Sequence, residues 1–289
     1  MSLNIKIYQR QFQPHAGKPA TAFISGLKRH GLTAEWLHQT RYKPCDLAVI
    51  WGVRFPHIIQ GQKECGGDYL VIERGYFRDR MAYCSLGFNG LNGRAEFLAK
   101  DMPPKRWFHH GVKIEKWKTG GDYILLMGQV EGDQSLNGKN IRHWYERVMT
   151  RVKELTDMPV YYRPHPQSRR FVGRLRCAGY KTDSLEESLS GAMCAITYNS
   201  NSGVDAVLNG VPVIAMDRGS MAWDVAQHEI TMDMYLPDRM QWLFDLAYKQ
   251  WTLEEIANGE AWDHLKRKYE KPDEAKSCCL MNRRMPDGC

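Results

Sequence analysis

No stretch of this 289-residue sequence comes near the roughly 20 consecutive apolar residues that a membrane-spanning helix needs. Residues 1–13 lack the apolar core and small-residue cleavage site of a secretion signal, so the expected compartment is the cytoplasm and no membrane partner is expected. The eight cysteines, at positions 45, 65, 84, 177, 194, 278, 279 and 289, include no Cys-x-x-Cys pair. That excludes the common zinc modules and a disulfide framework, and leaves reduced thiols. Equally absent are the Gly-x-x-x-x-Gly-Lys-Ser/Thr phosphate loop, the Gly-x-Ser-x-Gly nucleophile elbow and the His-Glu-x-x-His zinc pair. Asp-x-Asp does not occur either, Glu131-Gly132-Asp133 being the nearest spacing, so no obligatory metal is expected.

What is present is a globular composition. With 43% hydrophobic and 25% charged residues, the chain has the apolar mass to bury a core, and its length suits two domains of ordinary size. The net charge of +7 hides a split. Residues 1–118 carry 19 Lys and Arg against 9 Asp and Glu, a surplus of ten, whereas residues 119–289 carry 21 against 24. Positive charge gathered on one half steers and holds a polyanion, because phosphate or carboxylate chains release counterions on binding; the plainer reading is a merely soluble basic surface.

In the first half, the apolar pattern predicts strands over 4–8, 33–38, 46–51 and 68–72, with a helix over 19–30 stopped by Gly31. Strands alternating with helices or loops predict a parallel sheet covered on both faces. Residues 88–93 hold two Asn-Gly pairs, which favour left-handed turns. The proline- and charge-rich stretch 102–118 reads as a crossing between domains without a regular element. The second half predicts strands over 123–127, 160–163, 194–197 and 211–216. Its helices fall over 141–155, 168–178, 185–192, 202–208, 239–250 and 253–258, the last able to pack back on the first domain. The expected division is 1–118, 119–270 and a poorly ordered tail over 271–289 that carries Cys278, Cys279 and Cys289.

The sharpest chemical signal is Thr197-Tyr-Asn-Ser-Asn-Ser-Gly203, between an apolar strand and a helix. Side chains of Asn199, Ser200, Asn201 and Ser202 meet free backbone N–H groups at the positive end of that helix, a setting suited to phosphate or diphosphate. Asn201 could equally just cap the helix. Arg163-Pro-His-Pro166 follows a strand, so Arg163 and His165 stand at the carboxyl edge where open α/β sheets bind ligands. Gly128 follows the first strand of the second half and would let backbone approach a ligand, and the next residues to Ser135 could reach across a cleft. After the last apolar strand, Arg218 and Ser220 could add a charge and a hydroxyl. In the first half, strand 68–72 delivers Glu73, a carboxylate placed to take a proton from an attacking hydroxyl, with Asp79 between Arg78 and Arg80 as the second candidate base. Both carboxylates could instead be structural ion pairs.

Taken together, Arg163-Pro-His-Pro166, Ser184-Leu-Glu-Glu-Ser188, Tyr198-Asn-Ser-Asn-Ser-Gly203 and Gly210-Val-Pro-Val-Ile214 resemble the donor domain of two-domain glycosyltransferases of the GT-B fold. Capsule and lipopolysaccharide transferases show related His-Pro and Ser-rich patterns. Glu73-Arg-Gly-Tyr76, with Ser85-Leu-Gly-Phe-Asn-Gly-Leu-Asn-Gly93, is similar to phage-type transferases. In phage DNA glucosyltransferases an acidic residue and an Arg follow an acceptor-domain strand and the acid serves as base, a role that by resemblance falls on Glu73.

The resemblance implies an α/β chain of two Rossmann-like domains facing across a cleft, with 1–118 binding the acceptor and 119–270 a nucleotide-sugar donor, a UDP-sugar first. It implies sugar transfer without an obligatory metal, in the cytoplasm of a bacterial host if the gene is phage-borne. The basic first half makes DNA bearing a 5-hydroxymethylated pyrimidine, such as 5-hydroxymethylcytosine, the leading acceptor. Tyr76, Phe77 and Trp107 would support base flipping unless they are core residues. The alternatives are a surface-polysaccharide transferase, a sugar-nucleotide epimerase and a non-catalytic nucleic-acid-binding protein on the same fold. The charge split predicts that the protein is retained on a heparin column at low salt and elutes steeply as salt rises, which a salt-gradient elution checks.

Overall fold

The computed structural model describes residues 3–9, 14–37 and 41–270, so the tail with Cys278, Cys279 and Cys289 lies outside the described residues. The first half builds β1 (Ile5–Tyr8), α1 (Pro14–Arg29), β2 (Ala34–Leu37), β3 (Leu47–Trp51), α2 (Pro56–Glu64), β4 (Asp68–Arg74) and β5 (Tyr83–Phe88). A short helix α3 (Lys105–His110) leads into β6 (Tyr123–Met127), α4 (Ile141–Leu155), β7 (Val160–Arg163) and β8 (Gly179–Tyr180). Then come α5 (Leu185–Ser190), β9 (Ala192–Thr197), α6 (Ser202–Leu208), β10 (Val213–Ala215) and α7 (Met240–Ala247). The described chain closes with β11 (Gln250–Thr252), α8 (Leu253–Ala257), α9 (Glu260–Leu265) and α10 (Arg267–Glu270).

These strands form two sheets, ordered β11-β5-β4-β3-β1-β2 and β10-β9-β6-β7-β8. Period-two alternation explains why each is buried on both faces. In the first sheet Leu47, Val49, Leu70 and Ile72 face α1 and α9 through Phe23, Leu27 and Trp262. Their neighbours Ala48, Ile50, Tyr69 and Val71 face the other way, onto Phe55 and Ile58. In the second sheet Ile124, Leu126, Cys194 and Ile196 pack under α4, and Leu125, Ala195 and Val213 pack under α6 and α7. The architecture is two Rossmann-like units, as the sequence predicts.

Several expectations need correction. The second sheet is parallel throughout, but in the first β5 runs antiparallel to β4, and β11 antiparallel to β5. The antiparallel step follows from a return of only eight residues after Arg74, too short for a helical crossover. Residues 168–178 form turns instead of a helix, because Gly173 adopts φ of 74°, outside the helical region, while Phe171 and Leu175 are drawn into the core. The crossing 102–118 contains α3. The helix over 253–258 does pack back on the first unit as expected, α8 lying against α1, and β11 before it joins the first sheet.

Two polar side chains, one buried and one half-buried, lock that return. Gln250 is fully buried, and its Oε1 accepts N–H bonds from Tyr76 at 2.7 Å and Phe77 at 3.3 Å. Arg106 on α3 donates to Glu255 Oε1 at 2.6 Å, to the carbonyls of Ala247 and Gln250 at 3.1 and 3.0 Å, and covers the Trp251 ring. His110, also on α3, lies edge-on to Phe77 and Tyr83, and burial pushes its imidazole down to about 4. Between pH 6.5 and 4 the unfolded chain therefore binds a proton that the folded chain refuses at this site, so stability falls as pH drops through that window. His110→Gln is expected to flatten this acid limb by about 1.4 kcal/mol per pH unit, read from urea unfolding at pH 7, 6 and 5.

Candidate functional site

On the first sheet, parallel pairing of β3 with β4 sets Trp51 beside Ile72, and the Gly52 N–H bonds the Ile72 carbonyl at 2.9 Å. The chain ends that follow, Gly52 to Arg54 and Glu73 to Arg74, therefore emerge side by side at the carboxyl edge. Gly52 has φ of 60°, and a Cβ there would sit 3.4 Å from Glu73 Oε2 and 3.9 Å from Gln134 Oε1 of the second half. Glu73 thus stands where the two units meet. Burial pushes its carboxyl above the ordinary carboxylate range; the Arg74 N–H, bonded to Oε1 at 3.0 Å, and the Arg74 and Arg54 charges pull the other way. The charge of Asp133 adds to the upward push.

On the second sheet, β7 delivers Arg163 and His165. The Gln167 N–H bonds His165 Nδ1 at 3.2 Å, which assigns the ring proton of the neutral imidazole to Nε2 and makes that edge a donor. Burial depresses the His165 pKa, Asp133 opposes, and the Arg163 and Arg80 charges reinforce the depression, so the ring is neutral at pH 7. Asp133 acts on both Glu73 and His165, so both groups lie within electrostatic range of one carboxylate.

Beside β9, α6 starts at Ser202. Asn201 is its N-cap residue, yet its side chain makes no cap bond; Ser200 Oγ instead accepts the Ser202 N–H at 3.3 Å and contacts Ser202 Oγ at 2.8 Å. The simple capping reading of Asn201 therefore fails. Asn201 Oδ1 is buried without a hydrogen-bond partner, and so is Arg163 Nε. From the first half, Arg80 reaches over to bond the Asn201 carbonyl at 3.1 Å and to pair with Asp205 of α6. Burial raises the Asp205 pKa, and the Arg80 and Arg163 charges oppose it. Arg80, Arg163, His165, Asn201 and Ser202 thus form one cluster, in which a donor and an acceptor are left unpaired. Buried polar atoms are nearly always paired, so those two are the places a ligand would engage.

Asn199 does something else. It is 1% exposed, its amide donates to the Ser135 carbonyl and Asp217 Oδ1, both at 2.8 Å, and its Oδ1 accepts from Gln129 Nε2 at 2.7 Å. The residues after Gly128 spend their polar groups on this brace. Arg94 of the first half closes it with two bonds to Asp217, at 2.6 and 2.7 Å, and one to the Ser135 carbonyl at 3.2 Å.

The other expected residues are dispersed. A Cβ on Gly128 would strike Tyr162 Oη at 2.5 Å and the backbone of Arg163 and His165, so this glycine permits close packing of the 163–165 loop. Asp79 is exposed, and its Oδ1 caps the Met81 N–H at 2.9 Å. Arg218 is exposed and Ser220 buried, its Oγ accepting the Ala222 N–H at 3.3 Å; no hydrogen bond joins either to Arg163, His165 or Ser202. Tyr76, Phe77 and Trp107, at most 2% exposed, are core and unavailable to a base. Arg80, Arg94, Asp205 and Asp217 escaped sequence reasoning, because only the flanking charge of Arg80 and Asp217's place after a strand marked them. Among the described residues no group of three or more His, Cys, Asp or Glu is arranged to hold a metal ion, and no helix is long and apolar enough to cross a membrane.

No protein-family model and no curated protein matches the sequence. Solved structures do. KpsC of Thermosulfurimonas dismutans, a β-Kdo 2,7 transferase, superposes with a TM-score of 0.58 at 14% identity, covering 89% of this chain and 98% of that one. HepE of Anabaena, solved with UDP and glucose, aligns over 96% of this chain and all of its own at 10% identity, with a TM-score of only 0.28. The first of these likenesses shows the fold: two Rossmann-like units of the GT-B type.

Arg94→Ala removes a three-bond tie between the units and leaves Asp217 and the Ser135 carbonyl short of partners. A loss of about 1–3 kcal/mol of stability is expected by urea unfolding, with Arg94→Lys recovering only part of it.

Proposed function

We propose that the protein is a glycosyltransferase that moves a sugar from a nucleotide-sugar donor to a hydroxyl acceptor, with Glu73 as the general base. One observation carries the reading. A buried, unpaired donor at Arg163 and a buried, unpaired acceptor at Asn201 sit in a cationic cluster, and the charge of Asp133 reaches both His165 of that cluster and Glu73 of the opposite unit. A nucleotide sugar supplies both missing partners: phosphate oxygens for Arg163, and a hydroxyl for Asn201 Oδ1.

As the glycosidic bond to the diphosphate breaks, positive charge grows on the anomeric carbon and negative charge on the leaving oxygen. Arg163, Arg80, the Nε2–H of His165 and the hydroxyls of Ser200 and Ser202 meet the second. The Glu73 carboxyl, which burial makes a stronger base than an ordinary carboxylate, is well matched to take the proton of the incoming hydroxyl. Gly128 and Asn199 hold the loops that carry these groups. The proposed transfer uses side-chain charge alone for the leaving group, with a UDP-sugar as the first donor to test.

For the acceptor, the basic first half favours a polyanion. Base flipping loses its support, since Tyr76, Phe77 and Trp107 are buried. We therefore place an acidic surface polysaccharide ahead of hydroxymethylated DNA. Incubation of both acceptors with radiolabelled sugar nucleotides distinguishes them, and hexose incorporation into hydroxymethylated DNA alone would reverse that order.

Glu73→Gln is expected to lower kcat by about 100- to 10,000-fold while donor affinity, measured calorimetrically, stays within about twofold. Wild-type activity should fall at a pH above that of an ordinary carboxylate and persist in excess EDTA. A fully active Glu73→Gln enzyme sinks the assignment.

A further inference from the structure

Asn-Gly occurs five times in the sequence, at 89–90, 92–93, 137–138, 209–210 and 258–259. The pair is chemically labile, because a glycine has no side chain to keep its nitrogen away from the Cγ of the asparagine before it. Ring closure between those two atoms needs a free asparagine side chain and a free glycine N–H. Three of the five pairs are preceded by the same residue, Leu91, Leu136 or Leu208, so local sequence does not separate those three.

The fold does separate them. Asn89 is clamped: its Oδ1 accepts the Tyr69 N–H at 3.1 Å and its Nδ2 donates to Asp68 at 2.7 Å. At the second pair Asn92 Oδ1 is buried, and the Gly93 N–H bonds the Gly219 carbonyl at 3.1 Å. Asn209 ends α6 with its Nδ2 on the Asp205 carbonyl at 2.8 Å and the Gly210 N–H on the Val207 carbonyl at 3.1 Å. Asn258 is exposed after α8, but Gly259 is buried and its N–H bonds the Ile256 carbonyl at 3.2 Å.

Asn137-Gly138 has none of these restraints. Both residues are exposed, and among the described residues no hydrogen bond reaches the Asn137 side chain or leaves the Gly138 N–H. A Cβ on Gly138 would meet nothing within 4 Å, so the space the reaction needs is open. The two residues are the centre of a tight turn, with φ of 48° and 76°, spanned by one bond from the Lys139 N–H to the Leu136 carbonyl at 2.9 Å. A turn closed by one bond opens more readily than a pair whose reacting groups are themselves bonded or buried.

We propose that Asn137 is the site at which the folded protein deamidates. The Gly138 nitrogen attacks Asn137 Cγ; the new N–Cγ bond forms as the Cγ–Nδ2 bond breaks, and ammonia leaves with the proton of the Gly138 N–H. Water then opens the succinimide at either carbonyl, giving aspartate or, with one more carbon in the backbone, isoaspartate. Either product places a new carboxylate between Ser135, whose carbonyl Asn199 and Arg94 hold, and Asn140, whose side chain caps α4 by accepting the His143 N–H at 3.1 Å. The modification is independent of the proposed transfer, and its test needs no activity.

The full chain is aged at about pH 8 and 37 °C, folded and in guanidinium chloride, and the deamidated position is located by peptide fragmentation and mass. In the folded chain Asn137 should convert at least about tenfold faster than each of the other four asparagines, and in the unfolded chain the spread should close to within about threefold. Asn137→Gln, altered at an exposed position, should remove the species that accumulates first. The proposal is overturned if another of the five pairs keeps pace with Asn137 in the folded chain, if Asn137 stays intact there while the unfolded chain converts, or if the tenfold preference persists after unfolding.

Discussion

Two guanidinium groups from the basic half enter the acidic half and pair there with carboxylates: Arg80 with Asp205 on α6, and Arg94 with Asp217 after β10. Almost everything assigned to the site hangs from these two ties. Arg80 fixes the start of α6 through the Asn201 carbonyl, and Arg94 fixes the Gln129, Ser135 and Asn199 brace that supports the loop before it. Both ties are partly shielded from solvent, so removing one partner leaves the other short of a charge-bearing partner in a place where water replaces it poorly.

The same ties change the meaning of the charge split. Part of the first half's positive surplus is spent inside the molecule, on Asp205, Asp217 and, through Arg106, Glu255. What remains for a partner includes Arg54 and Arg74 beside Glu73, at the edge where the proposed transfer would bring the acceptor hydroxyl. The proposed acidic acceptor and the proposed carboxylate base would be compatible there, because the two arginines would hold the acceptor's charge away from the carboxylate of Glu73.

Much of the fold was legible because period-two and helical patterns are local. The bounds of β6, α4, β7 and α6 agree with the residues that the apolar pattern marks. Legibility failed where a distant contact decided the outcome. Residues 168–178 have helical spacing, but Gly173 and the burial of Phe171 and Leu175 set another path. The site was half legible: strand ends carrying Glu73, Arg163 and His165 are visible in one dimension. Asn199 and Asn201 look alike in sequence, yet one is consumed by a brace and the other left with an open carbonyl.

By itself, the sequence determined two α/β units, a basic and a slightly acidic half, and polar loops at the carboxyl ends of strands, since each depends on residues close along the chain. Only the tertiary structure decided which of those polar groups are free. It sent Arg80 and Arg94 across the junction, buried the aromatics of 76–77 and left Arg163 Nε and Asn201 Oδ1 without protein partners. Whether a polar atom is satisfied depends on what the fold carries to it from far along the chain, and no local pattern records that.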